Sequence, residues 1–315
     1  MRELLCCPVC RGPLSPDWKC NACQAQFSAP DGIPNLRLAG DPRTEIVRQF
    51  YDRAPFPGYP AHDNLTAFRA RAERSRFVQL LDRAIAGDAR IAEIGCGTGQ
   101  MSLYLARADR QIVAADLSRG ALQLGAAAAR RYGIDRIEFV EMDLHRPALT
   151  PRAFDVVYTS GVLHHTPNPQ LAFAALTQLV RRGGILVVGL YNAVARIPLR
   201  LRRSIARLTR FRAVPFDPVL RERLHEASRR DAWLRDQYRH PEEHRHTVDE
   251  VKGWCSANDV EYLRTFPSTV LGDESEQLFT PVVDDWSVER WIAQLGWMWT
   301  LGREGGLFIT IGRRR

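Results

Sequence analysis

The chain is nearly without lysine: of its 44 Lys and Arg residues, only Lys19 and Lys252 are lysine. That bias reports a GC-rich genome more than a function. The net charge of +8 over 315 residues is a weak guide, favouring anionic partners in general. A long apolar run is also missing. The longest lies near residues 184–191, well short of the about 20 residues a spanning helix needs. No internal repeat, coiled-coil pattern or low-complexity tract occurs, which excludes solenoids and long rods. Cysteines stand where a secretory signal would carry its apolar core, so the expectation is a cytoplasmic chain with reduced thiols. What remains is ordinary: 45% hydrophobic and 25% charged residues, with length for a full core and more than one module.

The chain is organised around Ile91-Ala-Glu-Ile-Gly-Cys-Gly-Thr-Gly-Gln100. An apolar strand-like run enters, glycines follow at Gly95, Gly97 and Gly99, and a helical stretch, 101–107, leaves. Strand, glycine turn and helix in that order form the nucleotide corner of an α/β sheet with helices on both faces. The dinucleotide fingerprint fails, because its third glycine position is Gln100. The next strand, 111–116, ends in Asp116, an acid placed to accept both ribose hydroxyls of a nucleoside.

The E-x-G-x-G-x-G pattern from Glu93 to Gly99, with Asp116 after it, resembles class I Rossmann-like methyltransferases that use S-adenosylmethionine (SAM). The resemblance implies SAM as cofactor, with Glu93, Gly95, Cys96, Gly97, Gly99, Asp116 and Leu117 at its site. It also implies that the strand 137–142 ends in an acid, Asp143, for the adenine amino group, flanked by Met142 and Leu144. Ser160, which closes the strand 153–160, is assigned to the same cofactor site. In this class the segment before the first core helix folds over the cofactor. Here that is 49–59, so dense in aromatics and proline that it makes neither a good helix nor a good strand, with Phe50, Tyr51 and Tyr59 as contact candidates; Tyr51 is assigned to cofactor and Tyr59 to substrate.

The loop Gly161-Val-Leu-His-His-Thr-Pro-Asn-Pro169 is similar to that of a subgroup including quinone and other small-molecule methyltransferases. His164 or His165, at most one of them, is a candidate general base, since neighbours cannot point the same way.

Four of seven cysteines form two pairs, Cys7-Pro-Val-Cys10 and Cys20-Asn-Ala-Cys23. Two such turns can close a tetrahedral zinc site, and so small a segment needs a cross-link to fold. Redox dithiols are the competing reading. Residues 4–38 resemble a small zinc-ribbon family that activates methyltransferases. A closed four-cysteine site implies a structural metal. The domains expected are a ribbon at 1–40 and a methyltransferase domain at 41–315, joined near 39–42.

Further on, 67–86 reads as one helix with Phe68, Phe77, Leu80, Leu81 and Ile85 on a face, and 119–132 as another. Residues 171–180 read as a helix, 181–184 as its terminal turn, and 185–190 as a buried strand. Thr247-Val-Asp-Glu250 is a capping box opening a helix to about 257. Strands at 260–266 and 306–312 close the sheet. Two insertions remain, 191–246 and 267–305. Both leave carboxyl ends of strands, and are expected to cover the active site and set specificity.

The first insertion holds a basic amphipathic stretch, 193–214, with Arg196, Arg200, Arg202, Arg203, Arg207, Arg210 and Arg212 and no acid. Ile197, Leu201, Ile205 and Leu208 recur at helical spacing. Peripheral membrane contact through Arg196–Arg212, RNA phosphates, an anionic substrate, or simple packing with a solvated arginine face all suit it. Tyr191, Tyr238, His240 and His244 are further substrate candidates; a metal in the His/Glu run 236–246 meets no familiar spacing. The second insertion carries Trp286, Trp291, Trp297 and Trp299 as core, docking surface or an aromatic substrate wall.

The whole chain resembles bacterial fusions of a zinc ribbon to a SAM methyltransferase. A small-molecule or lipid-like acceptor is favoured. RNA methylation is the alternative, weakened by the absence of an Asn/Asp-Pro-Pro-Tyr motif where Ser160-Gly-Val-Leu-His-His stands. A SAM-binding regulator without turnover is the third reading.

Overall fold

A computed structural model describes residues 1–52, 55, 57–209, 214, 217–222, 227–240, 242–273, 276–283, 286–302 and 305–315. Arg53, Ala54 and Phe56 of the aromatic arm, Arg210 and Arg212 of the basic stretch, and Pro241 lie outside the described residues. Seven strands form one sheet: β1 (Arg90–Ile94), β2 (Gln111–Asp116), β3 (Ile137–Glu141), β4 (Phe154–Ser160), β5 (Val180–Tyr191), β6 (Val260–Phe266) and β7 (Leu307–Arg314). Their order is β3-β2-β1-β4-β5-β7-β6. Pairing is parallel from β3 to β5, and β7 runs antiparallel between β5 and β6. This is a mixed, Rossmann-like sheet.

The central strands are apolar on both faces because helices cover both. Alternate residues divide between two cores. Ile91, Ile112 and Val156 pack with α3 (Arg76–Ala84), α4 (Gln100–Leu105) and α5 (Arg119–Tyr132). Ala92, Val113 and Val157 pack with α6 (Pro169–Thr177), α10 (Val248–Ala257) and α11 (Ser287–Thr300). The cysteine-bearing N-terminal lobe belongs to that second face, contributing buried Leu4, Leu5 and Leu36. The link between β3 and β4 carries no helix. The lobe fills that place: Cys6 N–H donates to the Ala148 carbonyl at 3.0 Å and Thr150 N–H to that of Leu4 at 2.9 Å. Residues 34–36 run beside β3, Leu36 N–H donating to the Glu141 carbonyl and Glu141 N–H to that of Pro34, so a sheet edge is capped.

Three expectations need correcting. The 67–86 helix is two, α2 (Leu65–Ala72) and α3. Phe68 and Phe77 are both buried in one core, yet nine residues of continuous helix would turn them to opposite sides, about 180° apart. The break at 73–75 lets both face inward, and Asn64 caps α2 by accepting from Ala67 N–H at 2.8 Å. The start of the aromatic arm is helical, because α1 (Pro42–Asp52) continues through Tyr51, held by Glu45–Arg48 and Arg48–Asp52 pairs. Residues 181–184 belong to β5, whose pairing with β4 shifts register there. Of the expected capping box one half forms: Thr247 Oγ1 accepts from Glu250 N–H at 3.2 Å, while the Glu250 carboxylate meets His246 Nδ1 at 3.0 Å.

The insertion after β5 contains α7 (Ile197–Leu208), α8 (Pro218–Glu222) and α9 (Ala227–Arg239). No helix among the described residues is long and apolar enough to cross a membrane.

Candidate functional site

The corner after β1 is shaped by its glycines. Gly95 has φ +71°, and a Cβ there would lie 2.2 Å from Val162 of the loop after β4. Gly99 has φ +77° and opens α4, its missing Cβ leaving room for Phe139. Gly95 and Cys96 donate their N–H groups to the Ala115 carbonyl, drawing the corner over the end of β2. Asp116 receives Gly97 N–H at 2.7 Å and Ser118 N–H at 2.8 Å, one on each carboxylate oxygen. Burial nonetheless raises its pKa, with the N–H donors opposing.

Beside this corner lies a cavity of about 380 Å³, a size usual for small ligands. Of the residues assigned to cofactor, Tyr51, Glu93, Gly95, Cys96, Gly97, Asp116, Leu117, Met142, Asp143, Leu144 and Ser160 line it; Gly99 stands behind it. Burial pushes the Glu93 carboxyl up to about 7, although Ser102 Oγ donates to it. Asp143 is the opposite case: burial would raise it, but the His145 ring at 3.1 Å and its N–H at 2.9 Å hold it below the usual carboxylate range. Thr44, Val47 and Arg48 of α1 also line the cavity. Sequence reasoning missed them because it began the lid at residue 49. Asp52 ties α1 down by accepting from Ser118 Oγ at 2.6 Å.

The two histidines separate. His165 lines the cavity; His164 does not. His164 is fully buried against the Tyr191 ring at 3.7 Å, and its Nδ1 accepts from Tyr191 N–H at 3.3 Å. Burial drives its pKa far below the usual imidazole range. His165 Nδ1 meets the Glu242 carbonyl at 2.7 Å. A carbonyl can only accept, so Nδ1 carries the proton and Nε2 the lone pair. Burial lowers its pKa to about 3, so the ring is neutral near pH 7.

The substrate candidates do not line the cavity. Tyr59 lies behind the corner, its hydroxyl donating to the Thr98 carbonyl at 2.7 Å. Tyr191 backs His164, and His240 stacks on His165 at 3.6 Å. His244 N–H donates to the His164 carbonyl at 2.7 Å, and its Nε2 lies 2.9 Å from Glu242. Tyr238 is buried with Leu199 and Ala206, its hydroxyl donating to Asp217 at 2.6 Å. His240 and residues 242–246 therefore form a second layer behind the histidine loop. Arg196 secures that layer. It is 1% exposed, lies over the Tyr191 ring at 3.6 Å, and donates to Gln237 at 2.8 Å and Glu243 at 3.0 Å, which also takes Arg203 at 2.9 Å. No periodicity marks Arg196 as buried; its partners lie 41 and 47 residues on.

Cys7, Cys10, Cys20 and Cys23 bring their sulfurs within 4.8 Å of one another. Tetrahedral zinc with bonds of 2.3 Å would hold sulfurs about 3.8 Å apart, so these side chains fit that ion. Among the described residues no other group of three His, Cys, Asp or Glu ligand atoms gathers this way, the 236–246 run included.

Residues 92–188 match the methyltransferase domain family. The chain is 30% identical to an uncharacterised protein of a Synechococcus species, over 71% of this chain and 60% of that one. It is 35% identical to the demethylmenaquinone methyltransferase of Clavibacter sepedonicus and 31% to a ubiquinone biosynthesis O-methyltransferase of a Ruegeria species. Each covers 33% of this chain and 41% of the relative. The chain thus spans between about two fifths and three fifths of the length of these relatives. Two solved structures share the fold. One is magnesium protoporphyrin IX methyltransferase of Synechocystis with bound SAH (15% identity, 86% of this chain and 100% of that, TM-score 0.51). The other is the [4+2]-cyclase SpnF (18%, 88% and 98%, 0.50).

Proposed function

We propose that this chain, whose residues 92–188 are a methyltransferase domain, transfers the sulfonium methyl of SAM to a small, lipid-like acceptor. One observation carries the reading: a single cavity at the carboxyl ends of β1 to β4 has Asp116, Asp143 and a neutral His165 on its wall. SAM supplies an electrophilic methyl. Asp116, pre-set by two N–H donors, takes the ribose hydroxyls; Asp143 takes the adenine amine; the glycine corner lets backbone approach the amino-acid tail. Bound and oriented reactants supply most of the rate in such a displacement. His165, whose Nδ1 proton is engaged by the Glu242 carbonyl, presents Nε2 as the group to receive the proton of a hydroxyl acceptor as the methyl is transferred. The quinone methyltransferase relatives support that acceptor chemistry without extending over the whole chain. The four thiolates hold a structural zinc with no open position.

The test uses methyl-labelled SAM and extract from cells lacking the protein. Label in the organic-solvent fraction is expected, and mass spectrometry of it names the acceptor. Nuclease-sensitive label in RNA would replace the acceptor class; no label, with SAM bound, would leave a binding protein.

A further inference from the structure

Two helices turn apolar stripes to solvent. On α7, Ile197, Leu201, Ile205 and Leu208 are 38%, 63%, 47% and 86% exposed. At 100° per residue these four fall within one arc of about 80°. The buried residues of the helix, Leu199 and Ala206, lie across the axis from them. The stripe therefore points directly away from the protein. Exposed Arg200 and Arg207 flank it on one side and half-buried Arg202 on the other. On α11, Val288, Trp291, Ile292, Leu295 and Trp299 are all exposed along one face, opposite buried Ala293, Gln294 and Trp297.

The two stripes arise at one edge of the fold. Tyr191, at the carboxyl end of β5, pairs with Leu307 at the start of β7. So α7, which leaves β5, and α11, which leads into β7, both belong to the edge that carries the cavity. Arg196 fastens them, its guanidinium donating to the Gly305 carbonyl between α11 and β7.

We infer that α7 and α11 form a docking surface for an anionic phospholipid bilayer. An outward apolar stripe bordered by arginines, with tryptophans on a second outward stripe at the same edge, is the arrangement that seats helices in the headgroup layer. The charge selects the partner: Arg200 and Arg207 stand exposed beside the stripe with half-buried Arg202 on its other side, and residues 193–214 hold no acid, which opposes a cationic or neutral surface and favours an acidic one. Two ordinary roles for such faces fail here. The stripes are not packed on the domain, and α7's arginines do not all face water, since Arg196 and Arg203 are spent on Glu243. The inference extends the lipid-like acceptor reading, because a bilayer-seated edge would admit an acceptor from the membrane. It rests on the surface alone, so the two can fail separately.

The test is flotation of the full chain with vesicles of phosphatidylcholine, with and without phosphatidylglycerol. Binding is expected only with the acidic lipid and should weaken as salt rises. Arg200→Gln and Arg207→Gln should each lower the partition about fivefold. Leu201→Glu with Leu208→Glu should lower it at least about tenfold, and Trp299→Ser should lower it less. SAM affinity should not change in any of them, which separates a lost surface from a lost fold. Absence of binding to acidic vesicles, or equal binding to neutral ones, overturns the inference. So does light scattering that shows a dimer broken by the Leu201 and Leu208 changes, since a second copy would then cover the stripe. RNA retention lost in the arginine variants, without vesicle binding, overturns it too.

Discussion

The cofactor corner and the layer behind the histidine loop meet at His165 but are held by different means. The corner is built from backbone. Its fixings are N–H groups of Gly95, Cys96, Gly97 and Ser118 given to the end of β2. The layer behind the histidines is built from side chains drawn from far along the chain: Arg196 to Gln237 and Glu243, Asn192 to Gln294, His165 to the Glu242 carbonyl. A backbone-built site has little to lose from the rest of the surface. A site built from buried charged side chains depends on every member, because an unpaired buried charge is costly.

The largest effect is expected outside both, in the N-terminal lobe. Cys10→Ser with Cys20→Ser should abolish bound zinc, expected at about one per chain by elemental analysis. The variant should be insoluble or melt far below the parent, because Leu4, Leu5 and Leu36 belong to the core. A soluble, metal-free parent with an unchanged melting curve would remove the structural metal. Next, Arg196→Met leaves Glu243 buried with one partner fewer and should cost about 3–5 kcal/mol, roughly 10 °C in melting temperature. SAM affinity measured by calorimetry should hold at a temperature where the variant is folded; if it collapses, the two regions are one unit and the contrast is broken.

The converse change sharpens it. Asp116→Ala should weaken SAM binding about a hundredfold, as expected for losing charged hydrogen bonds, while the melting temperature of the free protein moves little. Unchanged affinity would remove the cofactor assignment.

Taken per pH unit the effects on stability are the smallest, and the two regions should show opposite signs. His165 is held at about 3, below the ordinary 6.5. As pH falls from 6.5 toward 3 the unfolded chain takes a proton that the folded chain refuses, and stability drops by about 1.4 kcal/mol per pH unit from this group. His165→Gln should flatten that acid limb. Glu93 is raised to about 7 from 4.5, chiefly by burial. Its contribution is complete below 4.5 and is lost as pH rises through 7, so Glu93→Gln should stabilise at pH 8 and not at pH 4.5. Melting curves across pH read both, and equal behaviour of the two variants would dissolve the distinction.

The sequence was readable where the structure is local. The glycine corner, Asp116 and the β4 loop each carry their geometry within a few residues, and Thr247 caps its helix as its sequence position implies. Elsewhere local pattern misled. Phe68 looked like part of one long helical face, yet its burial in the same core as Phe77 required a break. Tyr191, Tyr238, His240 and His244 read as substrate groups by composition, yet their partners place them behind the cavity wall. Thr44 and Arg48 gave no signal, since only the fold carries α1 to the cavity.

What the sequence determined by itself was the sheet's chemistry: strand, glycine turn and acid, in an order that leaves backbone and carboxylates few other arrangements. What only the tertiary structure decided was which of two adjacent histidines faces the cavity, that Arg196 is buried while Arg200 and Arg207 are exposed, and which way the stripe of α7 points. Each of these depends on what packs against a residue from far along the chain, and packing at that distance leaves no period in the sequence for a reader to find.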